Sequence, residues 1–329
     1  MTKQPPNYKA NIKVYHGYGH MHDLVLYGHV LKGKSRQRGP LSHNIVTNII
    51  GLLRLFFVQP MADVKVRLQW NDQQLETTTR YDGFFKFEWA SDLTVPAGWH
   101  PVTVSLVQDQ TETSIIGEGK LFVPHKTQYG FISDIDDTVL VSHSASMFKR
   151  MRVLLTKNPH SRKAFADVVR HYHLLSLTHT DPDVPNPFFY VSSSEWNLYD
   201  DLNEFFKHNG LPKGAFLLNE IKKWYQLFKT GKTKHHGKLI RVARILDVFT
   251  EQRFVLLGDN SQSDPDIYSA IANKYPHKIV AVYIRNIKDE KKESAQQALG
   301  SIQNKGIHTC IFDDNEKAIE HSRAIGLVV

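Results

Sequence analysis

Three carboxylates stand within four residues, at Asp134, Asp136 and Asp137, directly after the apolar run Tyr129 to Ile132. A buried strand interior does not tolerate unpaired acids, so the run reads as a short strand with the acids at its carboxyl end. In open α/β sheets that end faces the crevice where ligands bind. Carboxylates this close repel one another unless a proton or a cation is shared, and Mg²⁺ is the common hard cation for oxygen ligands. A metal-assisted site is one reading. An acidic turn with Asp137 capping a helix is the other.

Two later segments bear on that choice. The run Phe188 to Val191 leads into Ser192-Ser193-Ser194, and the run Phe254 to Leu257 leads into Gly258-Asp259-Asn260-Ser261-Gln262-Ser263-Asp264. Singly, each fits a capped turn before a helix. Together they set an acid pair, a hydroxyl cluster and a second acid pair at three strand ends that a common crevice would join. These are the parts of phosphoryl transfer, in which a metal and cationic donors neutralise charge on the transferred group. Asp134, first out of its strand, can attack phosphorus and form an aspartyl-phosphate. Asp136, two residues on, points to the same side and can protonate the leaving alcohol and then activate water. Ser192 can donate to a phosphoryl oxygen. Asp259 can hold the metal with Asp134 and the main-chain carbonyl of Asp136, and Asp264 belongs in or beside that shell. Lys238, which opens the helical run Lys238 to Phe249, is the lysine such a site needs, and a solvated helix-end lysine is the plain alternative.

The elements that must position these residues follow from periodicity. After Pro124, short apolar runs (Phe188 to Val191, Phe254 to Leu257, Ile279 to Ile284, Thr309 to Phe312) alternate with amphipathic helical stretches. That alternation predicts an α/β domain with a doubly wound parallel sheet over 125–329. Before it, period-2 runs such as Val64, Val66, Leu68 and Trp70, separated by turn signals, predict a smaller all-β sandwich over 1–124. Residues 1–22 read as a loose arm that settles near Tyr15, and Ile45 to Val58 as a buried or interfacial helix.

Composition narrows the class without choosing a function. A chain of 329 residues with 41% hydrophobic and 22% charged residues suits two soluble globular domains. With one cysteine, Cys310, no intramolecular disulfide can form, which favours a reducing cytoplasm. Met1 to Lys13 does not resemble a secretory signal, and no stretch reaches the ~20 apolar residues of a spanning helix. The formal net charge of +8 favours acidic partners in general. Gly231-Lys232-Thr233 lacks the earlier glycine of a phosphate loop, since position 226 is Gln226. The histidine pairs, such as His171/His173, have no partners at zinc spacing.

In their order along the chain, Asp134-x-Asp136-x-Thr138, Ser192, Lys238 and Gly258-Asp259-x4-Asp264 resemble the four motifs of the haloacid dehalogenase superfamily of aspartyl phosphatases. The wider wording, with Ser133 to Thr138, Tyr190 to Tyr199, Leu211-Pro212-Lys213-Gly214 and Gly258 to Tyr268, closely resembles the phosphatidate phosphatases of the actin-patch-protein type over about residues 128 to 290. The resemblance implies Asp134 as nucleophile and Asp136 as acid/base. It implies Thr138, Ser192, Ser193 and Lys238 around the substrate phosphate, and Asp134, Asp136, Asp259 and Asp264 around Mg²⁺. The β-rich half resembles, more weakly, a transthyretin-like sandwich. Glu195 stands where such enzymes usually have proline, and Leu218-Asn219-Glu220 replaces a Leu-Arg-Asp-like stretch; both bear on substrate identity more than on the chemistry.

The function expected is a Mg²⁺-dependent phosphatase for phosphatidate or a related phosphomonoester, with peripheral contact to anionic membranes and no nucleic acid. The basic stretch Lys149, Arg150, Arg152, Lys157, Arg162, Lys163 and Arg170 offers a surface for anionic head groups, or else a solvated face. Two other readings stay open: a non-catalytic phosphatidate-binding module, disfavoured by the presence of both Asp134 and Asp136, and a phosphatase of soluble phosphomonoesters.

Overall fold

The computed structural model describes residues 10–33, 59–107, 115–125, 128–135, 159–219 and 233–328. The expected helix Ile45 to Val58, the residues Asp136, Asp137 and Thr138, and the basic positions Lys149 to Lys157 lie outside them, as do the side chains of Arg162 and Lys163. Two compact units are present. The first holds the described residues up to Val123 together with Glu195–Tyr199, and the second holds the rest. No described helix is long and apolar enough to cross a membrane.

The first unit contains β1 (Ala10–Val14), β2 (Gly17–His20), β3 (Asp23–Lys32), β4 (Lys65–Trp70), β5 (Gln73–Thr78), β6 (Phe84–Trp89), β7 (Gly98–Leu106) and β8 (Ile116–Val123). They form one sheet in the order β1-β3-β2-β8-β7-β4-β5, with β6 paired to β3, and the ladders are antiparallel except β2 with β8. Their inward residues, among them Leu24, Leu26, Val66, Leu68, Phe87, Val104 and Leu121, share one buried cluster. The loose arm expected up to Tyr15 is not what the described residues show, because 10–20 are two paired strands. Alternation over Ala10, Ile12 and Val14 is too short to stand out, and it is the ladder with β3 that satisfies this backbone. Gly17 permits the close approach: a Cβ there would lie 2.4 Å from the Val25 carbonyl oxygen. Tyr15 stacks on Trp196 at 4.3 Å between ring centroids, and the main-chain N–H of His16 donates to the Tyr199 hydroxyl at 3.0 Å. Trp196 and Tyr199 thereby join the packing of this unit.

The second unit contains β9 (Gly130–Asp134), α1 (Pro159–Ser176), β10 (Phe188–Glu195), α2 (Tyr199–His208), β11 (Gly214–Asn219), α3 (Thr233–Val248), β12 (Phe254–Asp259), α4 (Asp264–Lys274), β13 (Ile279–Arg285), α5 (Lys292–Gln303), β14 (His308–Phe312) and α6 (Asn315–Ala324). Six strands lie in the order β11-β10-β9-β12-β13-β14, and the ladders from β10 through β14 are parallel. The chain enters at β9 in the middle, runs outward to β11, returns to β12 on the other side of β9, and runs outward again. The strand-order reversal therefore falls between β9 and β12, the place where such sheets open a crevice at their carboxyl ends. β9 and β12 are buried along their whole length, which is why they read as continuous apolar runs. Helix α1 packs on α6, while α4 packs on α3 and α5.

A buried polar network pins α6 to the sheet. His171 of α1 lies 3.1 Å from the Ser322 hydroxyl, which is 2.8 Å from the Tyr283 hydroxyl of β13. Burial, helped by His321, pushes His171 down from 6.5 to about 3. The unfolded chain thus takes up a proton that the folded chain refuses. This stabilisation is complete above the unfolded value of 6.5 and is lost as pH falls through the window from 6.5 towards about 3. Near pH 5 the loss is about 2 kcal/mol. Urea midpoints at pH 7.5 and pH 5 should show that drop, and His171→Leu should shrink the pH dependence even though it lowers stability at both values.

Candidate active site

Asp134 is the last residue of β9, and Asp259 is the last of β12, its neighbour across the strand-order reversal. Asp264 opens α4. All three are at most 1% exposed, and one carboxylate oxygen from each lies within 4.8 Å of the others. Three acids survive this confinement because Lys238 reaches in from α3. Its Nζ is 2.8 Å from Asp134 Oδ1 and also donates to Asp264 Oδ1. Burial alone would lower the lysine; the two aspartates outweigh it and hold its pKa above the ordinary value, so the ammonium stays charged. Burial pushes the Asp264 carboxyl up to about 6, Lys238 pulling it back and Asp259 adding to the rise. The helix that carries Lys238 begins at Thr233, so the lysine stands in its second turn instead of opening it. His235, His236 and Gly237 show no apolar period, which hid that first turn from the sequence.

Asp264 does one further job. Its Oδ2 accepts the main-chain N–H of Asp259 at 3.3 Å, so one carboxylate holds both the lysine and the end of β12. Gly258 leaves room for it: a Cβ there would fall 2.5 Å from Asp264 Oδ2. Asp259 in turn accepts the Ser261 N–H through Oδ1 at 2.6 Å. The donor set is all oxygen, carboxylate-rich and closely spaced, which fits a hard divalent cation better than a soft one. Of these carboxylates, Asp264 has both oxygens occupied by protein donors, so it suits orienting its neighbours.

Of the other sequence candidates, Ser192 is fully buried at the carboxyl end of β10. The Ser193 side chain lies outside the described residues, as do Asp136 and Thr138. Sequence reasoning missed several supports. Arg241, one turn after Lys238, donates to Asn219 Oδ1 at 2.6 Å and to the Ser192 carbonyl at 3.2 Å, joining the ends of β11 and β10 to α3. Beneath Asp134, the Ser133 hydroxyl sits 2.7 Å from the Tyr172 hydroxyl and donates to the Asp134 carbonyl at 2.7 Å. Asn260 is almost wholly buried; its Oδ1 accepts the N–H groups of Ile287 and Lys288, fixing the loop after β12 to the loop after β13. The Tyr268 hydroxyl donates to the Leu257 carbonyl at 3.0 Å, and Lys238 Nζ lies 5.8 Å from its ring centroid. For Arg241 the available signal was its i+3 spacing from Lys238; Tyr172 offered only its place in an amphipathic helix.

Comparison with known proteins places this geometry. Residues 129–286 match the family model described as the catalytic domain of phosphatidate phosphatase APP1. Phosphatidate phosphatase APP1 of Saccharomyces cerevisiae is 30% identical over 161 residues, covering 47% of this chain and 25% of the yeast protein. An uncharacterised protein of Schizosaccharomyces pombe is 23% identical over 244 residues, covering 72% of this chain and 38% of the relative. The chain thus spans between a quarter and two fifths of the curated relatives it matches. Among solved structures, a carbohydrate acetylesterase from Xanthomonas citri aligns over 94% of this chain and 70% of its own at 7% identity, with a TM-score of 0.32. The buried cluster of Asp134, Asp259, Asp264 and Lys238 lies wholly inside the segment that matches the phosphatidate phosphatase APP1 catalytic domain.

Proposed function

We propose that this chain hydrolyses phosphatidate or a closely related phosphomonoester, with Mg²⁺, through a phosphoenzyme formed on Asp134. The observation that carries the reading is the buried Asp134–Lys238–Asp264 chain beside Asp259, at the carboxyl ends of β9 and β12 within the family match. The strand order, with these two strands central, supports a doubly wound sheet of the haloacid dehalogenase type.

In this reading an Asp134 carboxylate oxygen attacks phosphorus, the phosphorus–oxygen bond to the alcohol breaks, and Asp136 gives the departing alkoxide its proton. Water then attacks the same phosphorus, Asp136 takes the proton back, and inorganic phosphate leaves Asp134. Lys238 pairs with Asp134 and orients it, and with Thr138, Ser192 and Ser193 it offers positive charge or hydroxyl donors to the phosphoryl oxygens. Asp134, Asp136 and Asp259 would hold the cation, with Asp264 beside them. When bound, it neutralises charge on the transferred group. Charge on Lys149 to Arg170 would bring the protein to anionic membranes, where such a lipid substrate resides.

Purified protein assayed with Mg²⁺ or with chelator, against phosphatidate in vesicles and against glycerol phosphate and sugar phosphates, tests the proposal. Phosphatidate should be preferred by about tenfold or more in kcat/KM, and the protein should sediment with anionic vesicles at low salt but not at high salt. Preference for the soluble esters, with no vesicle binding, would replace the lipid substrate by a soluble one. Phosphatidate binding without hydrolysis would make the domain a lipid-binding module.

A further inference from the structure

Arg285 closes β13 and lies directly across the ladder from Asp259 at the end of β12. It is 6% exposed, and among the described residues nothing accepts a hydrogen bond from its Nη1. Its main-chain carbonyl accepts the Asn260 N–H at 3.1 Å, so the backbone that carries it is continuous with the loop after β12. The carboxylates of Asp259, Asp314 and Asp167 act on its guanidinium through their charge. A buried guanidinium short of acceptors costs free energy, and the catalytic scheme above makes no use of it. What it supplies is charge. Lys238 offsets one of the three clustered carboxylates, and Arg285 brings a second positive charge to the Asp259 side, away from Lys238's two partners.

We infer that Arg285 is a positioning charge for the site: it restrains the carboxylates' hold on a bare divalent cation and favours the state in which cation and phosphoryl anion are bound together. This rests on the phosphatase reading. Removing a positive charge beside an anionic cluster raises cation affinity and lowers anion affinity. Lost packing does not split the two in opposite directions. That opposition is the signature to look for.

Calorimetric titration of the full chain with Mg²⁺ alone, and then with inorganic phosphate at saturating Mg²⁺, provides the test. Arg285→Met should bind Mg²⁺ about tenfold more tightly and phosphate about tenfold more weakly than wild type, while Arg285→Lys should stay within about threefold of wild type for both. If Arg285→Met does not fold by circular dichroism, Arg285→Gln, which keeps hydrogen-bonding capacity without charge, is read by the same signs. Affinities that fall together, or that do not move, overturn the inference and leave the phosphatase reading standing. Wild-type protein that binds neither Mg²⁺ nor phosphate overturns the phosphatase reading and takes the inference with it.

Discussion

Asp134→Asn is expected to reduce turnover of any phosphomonoester by about 10³-fold or more while leaving the fold in place. The amide is nearly isosteric with the carboxylate and can still accept from Lys238 Nζ, now 2.8 Å from Asp134 Oδ1. What it loses is the charge and the nucleophilic oxygen. Because three buried carboxylates crowd one another here, neutralising one of them removes repulsion as well as an ion pair, so the melting temperature should change little. Beryllium fluoride, which mimics an aspartyl-phosphate, should inhibit the wild type and have no effect on the residual activity of the variant. A variant that retains more than about 1% of wild-type turnover, with its asparagine confirmed intact by mass spectrometry, would remove Asp134 from the nucleophile's role.

Lys238→Met should be damaging in two separable ways. It leaves Asp134 and Asp264 buried without their shared cation, and breaking a buried pair in this manner typically costs about 3–5 kcal/mol. It also removes a charge that balances the phosphoryl oxygens, which is worth about 10²-fold or more in turnover. Urea denaturation gives the first quantity and steady-state kinetics under folding conditions the second. Adding Asp264→Asn to Lys238→Met should recover part of the stability, since the amide no longer needs a counter-charge, but none of the turnover. Recovery of turnover in the double variant would mean that Lys238 serves the structure alone.

Much of the second unit was legible because its central strands are buried on both faces and therefore spell unbroken apolar runs. Phe254 to Leu257 and Ile279 to Ile284 match β12 and β13 almost residue for residue. The edge strand β11 is absent from the expected strands, although Ala215-Phe216-Leu217-Leu218 is just such a run. In the first unit, β5 reads Gln-Gln-Leu-Glu-Thr-Thr, and only its ladder with β4 makes it a strand. That information lies in the partner and not in the segment. The charged residues that meet at the site were legible for a different reason: carboxylates at strand ends are costly enough to stand out. Their supports were not. Tyr172, Asn260, Arg241 and Arg285 act through contacts made across 20 or more positions of sequence, and no local pattern separates them from ordinary helix, loop and strand residues.

The family match ends at residue 286, but the sheet does not. β14 and α6 lie beyond it, and they complete the edge of β13 and bring Ser322 to His171 and Tyr283. A fragment trimmed to the matched segment would therefore end on a bare edge, Ile-Val-Ala-Val-Tyr-Ile-Arg, with a row of unpaired amides and carbonyls on one side, ready to template intermolecular pairing. The boundary of the family match and the boundary of the sheet are different places, separated by about the length of one strand and two helices.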